Sequence, residues 1–311
     1  MQLLQLFNHF NIYNMNLVQK NSKEKLFFQA VSQIETHLVT ITPKTAEKLL
    51  EMSDSKHQRK INQKHVTFLA REMQKGNFAF NGDSIRQDSE GNIIDGQHRL
   101  AACVLSGVQF NTLFVKGLDT DQISTINTGQ RIRSYADVLE ITHKKKYKYA
   151  NQISAAVRMI IKLQHNHLNL SGAKDTNSHT SSTDFLEFCD KHPHIFDFVE
   201  NEMRIYANGD KLIVAKLYLS LKWQLQKLNQ RAADKFFQLL SDGIGLNVDH
   251  PIYKLRKKLI NYKLKKSRLT TKDIILSIYR TWNAFMNDEF ISRIYTADDI
   301  KLSTKYKNQL W

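Results

Sequence analysis

Apolar and polar positions along this 311-residue chain follow two rhythms. From Val39 to Ile141, short apolar runs alternate with short helical periods, which predicts a small sheet with helices packed on it. Val39 to Ile41 is β-branched. Thr42-Pro43 then opens a helix, because Thr can cap first-turn amides and Pro needs no amide hydrogen there. That helix runs to about Met52, and Ser53 to Lys60 is a polar connection. A second helix carries Val66, Leu69, Ala70 and Met73 on one side and ends at Gly76. Ser84 to Gln87 and Asn92 to Ile94 flank Asp88-Ser89-Glu90-Gly91, which reads as a hairpin turn. Arg99 to Leu105 is helical, with Gly107 as its stop. Thr112 to Val115 is a strand and Asp121 to Ile126 a short helix. Ser134, with Asp137 three residues on, caps a further helix.

After about Lys144 the helical period takes over. Tyr149 to Leu163, Phe185 to Val199 (interrupted by Pro193), Leu212 to Leu228 and Ala232 to Leu240 are predicted helices. Pro251 starts a strongly basic helix, and Thr270 or Thr271 another that runs to about Met286. His165 to Ser182 is a polar loop. At the other end, Met1 to Ser22 is rich in Asn and Gln, and Lys23 to Leu38 has a near-helical period. The expected organisation is therefore α+β: a helical arm over 1–38, a small mixed-sheet domain over 39–141, and a basic helical domain over 142–311.

Composition narrows the function classes. Hydrophobic residues make up 41% of the chain, enough for a sizeable core. No apolar run reaches the ~18 residues of a membrane span, and Met1 to Phe10 lacks the basic start and apolar middle of a secretory signal. Cys103 and Cys189, the only cysteines, match no metal or redox spacing, so two buried thiols in a reducing cytoplasmic setting are expected. The formal net charge of +15 favours a polyanionic partner.

One segment carries specific chemistry. Asp95-Gly96-Gln97-His98-Arg99-Leu100-Ala101-Ala102 ends a strand pattern and opens a helix. Glycine permits a tight turn or a close ligand, first-turn amides can bind phosphate oxygens, and Arg99 can add a bidentate contact. His98 can donate a hydrogen bond or exchange a proton. The same residues also suit a purely structural strand-to-helix turn, and both readings stand open here. The common P-loop and dinucleotide-binding glycine patterns are absent.

These residues resemble the DGQHR-type variant of the ParB N-terminal/sulfiredoxin-like superfamily, in particular its phage- and mobile-element-associated members. Ile41-Thr42-Pro43 with Ala46 and Leu49, Gly76, Asn81-Gly82-Asp83-Ser84-Ile85, Gly91, Gly117-Leu118-Asp119 and Ile126-Asn127-Thr128-Gly129-Gln130-Arg131 follow in the expected order. The resemblance covers about Thr42 to Leu139. Gly243-Ile244-Gly245-Leu246, Pro251-Ile252 and Trp282-Asn283-Ala284 look like the helical extension of such proteins.

The resemblance implies a small α/β fold that often binds nucleotides through its strand-to-helix loop. Gly96, Gln97, His98 and Arg99 would contact phosphates, and Arg131 would lie near the same pocket. Asp95 and Asp83 would be candidates to hold Mg²⁺ beside a nucleoside triphosphate, and Asp95, Asp83 and His98 to take part in catalysis. Asp119 is a further candidate carboxylate. There are departures. Gln97 stands where sulfiredoxins carry Cys, so repair of oxidised cysteine is not expected. Gln97-His98-Arg99 replaces the arginine-rich box of the partition proteins, so CTP specificity does not carry over. Asn127 stands where related mobile-element sequences carry Asp, which weakens the catalytic case.

The second half adds charge. Lys254, Arg256, Lys257, Lys258, Lys263, Lys265, Lys266, Arg268 and Lys272 fall in a stretch with no acidic residue from Pro251 to Lys272. Ile252, Leu255 and Leu259 give it an apolar side, so a docked helix with a basic outer face is expected, suited to DNA or RNA backbone. Lys144, Lys145, Lys146 and Lys148 form a smaller cluster. No base-reading motif is present. Glu47 and Glu51 read as a solvated pair, His57, Arg59 and Lys60 as loop residues or a phosphate flap, and Trp223 and Trp282 as core. Histidines 165, 167, 194 and 250 lack a metal-ligand spacing.

The expectation is a nucleotide-binding, nucleic-acid-associated protein, with Mg²⁺-dependent NTPase activity in DNA transactions of a mobile element as the chemistry to test. The alternatives are a metal-dependent nuclease and a non-catalytic DNA-binding module. Expected partners are DNA first, RNA second, and a second copy of the chain; a membrane is not expected.

Overall fold

The computed structural model describes residues 34–53, 60–119, 133–164, 180–294 and 301–304. The fold is mixed, with four strands and eleven helices among the described residues. The chain divides into two compact units between Arg131 and Ile132.

In the first unit β1 (Glu35–Ile41) leads into α1 (Pro43–Glu51) and α2 (Gln63–Gln74). The hairpin β2 (Ser84–Asp88) and β3 (Ile93–Asp95) runs directly into α3 (Gln97–Ser106), and β4 (Phe110–Leu118) closes the sheet. The strand order is β1-β4-β2-β3, with β4 antiparallel to β1 and parallel to β2, and β2 antiparallel to β3. Capping follows the sequence logic. Thr42 Oγ1 accepts from the Thr45 amide at 3.2 Å with Pro43 in the first helical position, and Asp88 closes the hairpin by accepting from the amides of Glu90 and Asn92. Ile41, Ile85, Ile93, Phe110 and Phe114 of the sheet share one core with Ala46, Val66, Ala70, Met73, Leu100, Ala102 and Cys103 of the three helices.

The second unit is helical. It comprises α4 (Tyr135–His143), α5 (Ala150–Gln164), α6 (Ser182–Lys191), α7 (Ile195–Asn208), α8 (Ala215–Leu228), α9 (Gln230–Asp242), α10 (Pro251–Lys263) and α11 (Thr271–Asn287). Complete capping boxes start α4 at Ser134/Asp137, α6 at Ser181/Asp184 and α11 at Thr270/Asp273. Trp223 and Trp282 are core residues, as expected. So are the thiols: Cys103 and Cys189 are buried and unbridged, and burial pushes them up to about 11 and about 12.

Two expectations need correction. The near-helical stretch ending at Leu38 runs into a strand, because Glu35 to Ile41 pairs residue for residue with Lys116 to Phe110. The expected unit boundary at Ile141 moves to Arg131, because Leu139 of α4 packs in the core of the helical unit with Ile153 and Phe185. The interruption expected at Pro193 is observed, and it separates α6 from α7. The rest of the expected N-terminal arm, 1–33, lies outside the described residues, as do the short helix at 121–126, His57, Arg59, Asn127, Arg131, His165 and His167.

Candidate functional site

The site is the corner where β3 turns into α3. Gly96 is the N-cap residue of α3, with φ +102°, a left-handed conformation natural to glycine. A Cβ there would overlap Ile85 Cδ1 and come within 3.3 Å of the Arg99 guanidinium. The glycine is thus demanded by the protein's own packing. Among the described residues no side-chain cap is seen at the start of α3, where the helix dipole is positive.

Around this corner the motif's charged residues hold one another. Arg99 Nη2 donates to the Ser84 carbonyl oxygen at 2.6 Å and lies 3.7 Å from Asp95 Oδ2, while Nη1 lies 4.0 Å from Asp83 Oδ2. Arg86 faces Asp95 across the β2–β3 ladder, 3.9 Å from the same oxygen. The Arg99 side chain is only 15% exposed. Two cations and two carboxylates therefore balance locally, and the guanidinium is fixed against the start of β2. His98 turns the other way, and its Nε2 accepts from the Asn62 backbone amide at 3.0 Å. Asn62 itself caps α2, and the His65 ring meets the His98 ring edge-on at 5.3 Å. Gln97 is 7% exposed, and its Oε1 is buried without a hydrogen-bond partner.

The structure thus brings Asp83, Asp95, Gly96, Gln97, His98 and Arg99 to one corner. It also adds Asn62 and Arg86, which sequence reasoning missed, and gives Ser84 and Ile85 of the 81–85 motif contacts at the same corner. Arg86 stands opposite Asp95 only because the β2–β3 register shifts between Arg86 and Gln87, which the sequence does not signal. Asn62 and Ser84 meet His98 and Arg99 through backbone atoms, while their side chains respectively cap α2 and accept from Arg86 Nε. Among the described residues no group of three or more His, Cys, Asp or Glu side chains is placed to hold a metal ion.

Comparison of the chain with protein-family models, curated proteins and solved structures finds no match in any of the three.

The positive charge is concentrated in the helical unit, which holds 30 basic and 18 acidic residues of the whole chain's 45 and 30. Its basic side chains are not equivalent. Arg256 is 13% exposed, donates to the Leu240 carbonyl and pairs with Asp210. A Cβ on Gly243 would meet its Nε at 2.6 Å, so that glycine makes room for the arginine. Lys263 Nζ donates to the Asp210 carbonyl at 2.9 Å. Lys258 Nζ donates to Ser277 Oγ at 2.9 Å and to the Ile294 carbonyl, and burial lowers its pKa against the opposing pull of Asp273. These three side chains tie the bundle together, so Arg256 and Lys258 leave the expected nucleic-acid face. Lys257, Lys265, Lys266 and Arg268 are exposed, and Lys254 lies over the Phe290 ring at 4.2 Å. In the smaller cluster Lys146 pairs with Glu140 at 2.6 Å and Lys145 lies over Tyr147 at 5.1 Å, while Lys144 is exposed in a left-handed C-cap. Among the described residues no helix is long and apolar enough to cross a membrane.

Proposed function

We propose that this chain binds phosphate groups at the N-terminus of α3 and acts as a nucleotide-binding, nucleic-acid-associated protein. One observation carries the reading: α3 begins on a left-handed glycine with no side-chain cap, beside a buried Gln97 whose Oε1 is unpartnered. An uncapped helix start attracts an anion through its amides and the helix dipole. An unpartnered buried acceptor costs about 1–3 kcal/mol. A hydroxyl or amino group of a nucleotide would offset that cost, and the carboxamide offers donors as well. The order of motifs shared with ParB/sulfiredoxin-like proteins supports the same reading, and the +15 charge supports association with nucleic acid.

Binding is better supported than chemistry. Asp83 and Asp95, the carboxylates considered for Mg²⁺, both face the Arg99 guanidinium. A cation there would have to displace it, so a Mg²⁺ held by these two residues does not fit. The same geometry does not favour a metal-dependent nuclease. His98 Nε2 already accepts a backbone hydrogen bond, which suits a positioning role.

Calorimetric titration with ATP, CTP, GTP and UTP, each with and without Mg²⁺, tests the reading. At least one nucleotide should bind, and Gln97→Glu, which sets a carboxylate beside the phosphate, should weaken it tenfold or more. Binding of none of the four would overturn nucleotide recognition. Phosphate release in the same panel would contradict a purely binding role.

A further inference from the structure

The outer face of α10 has a composition that the bundle does not use. Ile252, Leu255 and Leu259 are buried, and Arg256, Lys258 and Lys263 are turned to internal partners. Helical geometry puts Tyr253, Lys257, Ile260 and Leu264 together on the opposite side. All four are exposed. Lys265, in the left-handed conformation just past the helix, and exposed Lys266 and Arg268 extend the charge into the following turn. Phe290, 63% exposed, lies against Lys254 on the flank of the same helix, and Tyr262 is exposed near its end. No acidic side chain occurs from residue 251 to 272.

We infer that this face is a platform for single-stranded nucleic acid, in which Lys257, Lys265, Lys266 and Arg268 follow the phosphates while Phe290 and Tyr253 stack on bases. The inference rests on the nucleic-acid part of the reading above. Charge selects a polyanion, and the exposed rings select among polyanions. A duplex hides its base faces and rewards only the cations, whereas a single strand rewards cations and rings together. A lysine already seated on one face of Phe290 adds a cation beside a stacked base.

Fluorescence anisotropy on the full chain tests this with labelled oligo(dT), oligo(U), a mixed-sequence duplex of equal length, and vesicles containing phosphatidylserine. Each ligand is titrated over a range of salt. The single strands should bind more tightly than the duplex. Phe290→Ala and Tyr253→Ala should each weaken single-strand binding about five- to hundredfold and leave duplex binding unchanged, with Phe290→Trp restoring it. Lys257→Gln and Lys265→Gln should each lower the salt slope for single strands by ~0.7. All four positions are exposed, so unchanged melting temperatures are expected and serve as the folding control. Duplex binding as tight as single-strand binding, unaffected by the ring variants, overturns the platform while leaving nucleic-acid association standing. Binding to vesicles alone overturns it in favour of a lipid surface. No binding to any polyanion overturns both this inference and the nucleic-acid part of the proposed function, while nucleotide binding at α3 is judged separately by calorimetry.

Discussion

His98 Nε2 accepts the backbone amide hydrogen of Asn62 at 3.0 Å. That bond requires the neutral ring with its proton on Nδ1, because a protonated Nε2 would present a donor to a donor. The motif histidine therefore fastens the start of α2 to the start of α3. His98→Ala should lower stability by about 0.5–1.5 kcal/mol, the net worth of an intramolecular hydrogen bond. Urea unfolding checks this; an unchanged midpoint would show that the bond contributes nothing to stability.

Arg99 is the second fastening. Removing it strands the Ser84 carbonyl and leaves Asp95 with Arg86 as its remaining cation. Arg99→Ala should cost about 2–4 kcal/mol, and Arg99→Lys less, since a lysine keeps the charge but not the fork. A loss of nucleotide binding in Arg99→Ala would for this reason report on folding as much as on contact. Gln97 is the cleaner probe.

Gly96 and Ile85 form a coupled pair. Gly96→Ala meets two penalties, a positive φ and an overlap with Ile85 Cδ1, and should cost about 2–4 kcal/mol. Ile85→Val removes that methyl group, so the double variant should be more stable than the sum of the two single losses predicts. A double-mutant cycle measures the difference; strict additivity would mean that the φ penalty alone sets the cost.

Acid should weaken the helical unit through His250. Its Nδ1 accepts from the Ile252 amide at 3.1 Å and caps α10. Burial lowers its pKa from the ordinary 6.5, against the opposing pull of Asp288. The unfolded chain therefore takes up the proton first. The stabilisation is present above pH 6.5 and falls away as the pH drops below that value towards the folded-state pKa. His192 shifts in the same direction through burial, Lys227, His194 and Lys191. Urea midpoints at pH 7.5 and 5.5 should differ, and His250→Asn, which keeps a capping acceptor that does not titrate, should narrow the difference.

Local grammar was readable in the sequence, and long-range pairing was not. Thr42-Pro43, Ser134 with Asp137, the Asp88 turn and Gly107 each act within a few residues, so their spacing alone places α1, α4, the hairpin and the end of α3. Only the β-branched end of β1, Val39 to Ile41, was legible; Glu35 to Leu38 escaped because a solvent-facing edge strand has little apolar pattern of its own, and its partner, β4, lies some seventy residues away. The roles of Arg256, Lys258 and Lys263 escaped for the same reason. In the sequence they belong to one basic run, and only the fold shows that Asp210, Leu240 and Ser277 claim them. The motif corner was half legible. Its residues do converge, but the arginine and histidine spend their hydrogen bonds on backbone atoms that carry no sequence signal.

Amide NMR of the isotopically labelled chain reads phosphate binding at the start of α3 residue by residue. Titration with each nucleoside triphosphate should shift the Gln97 and His98 amide resonances progressively and to saturation, with smaller movements elsewhere. If these two resonances stay in place with all four nucleotides, and with an oligonucleotide, α3 does not bind phosphate and the corner is a structural turn.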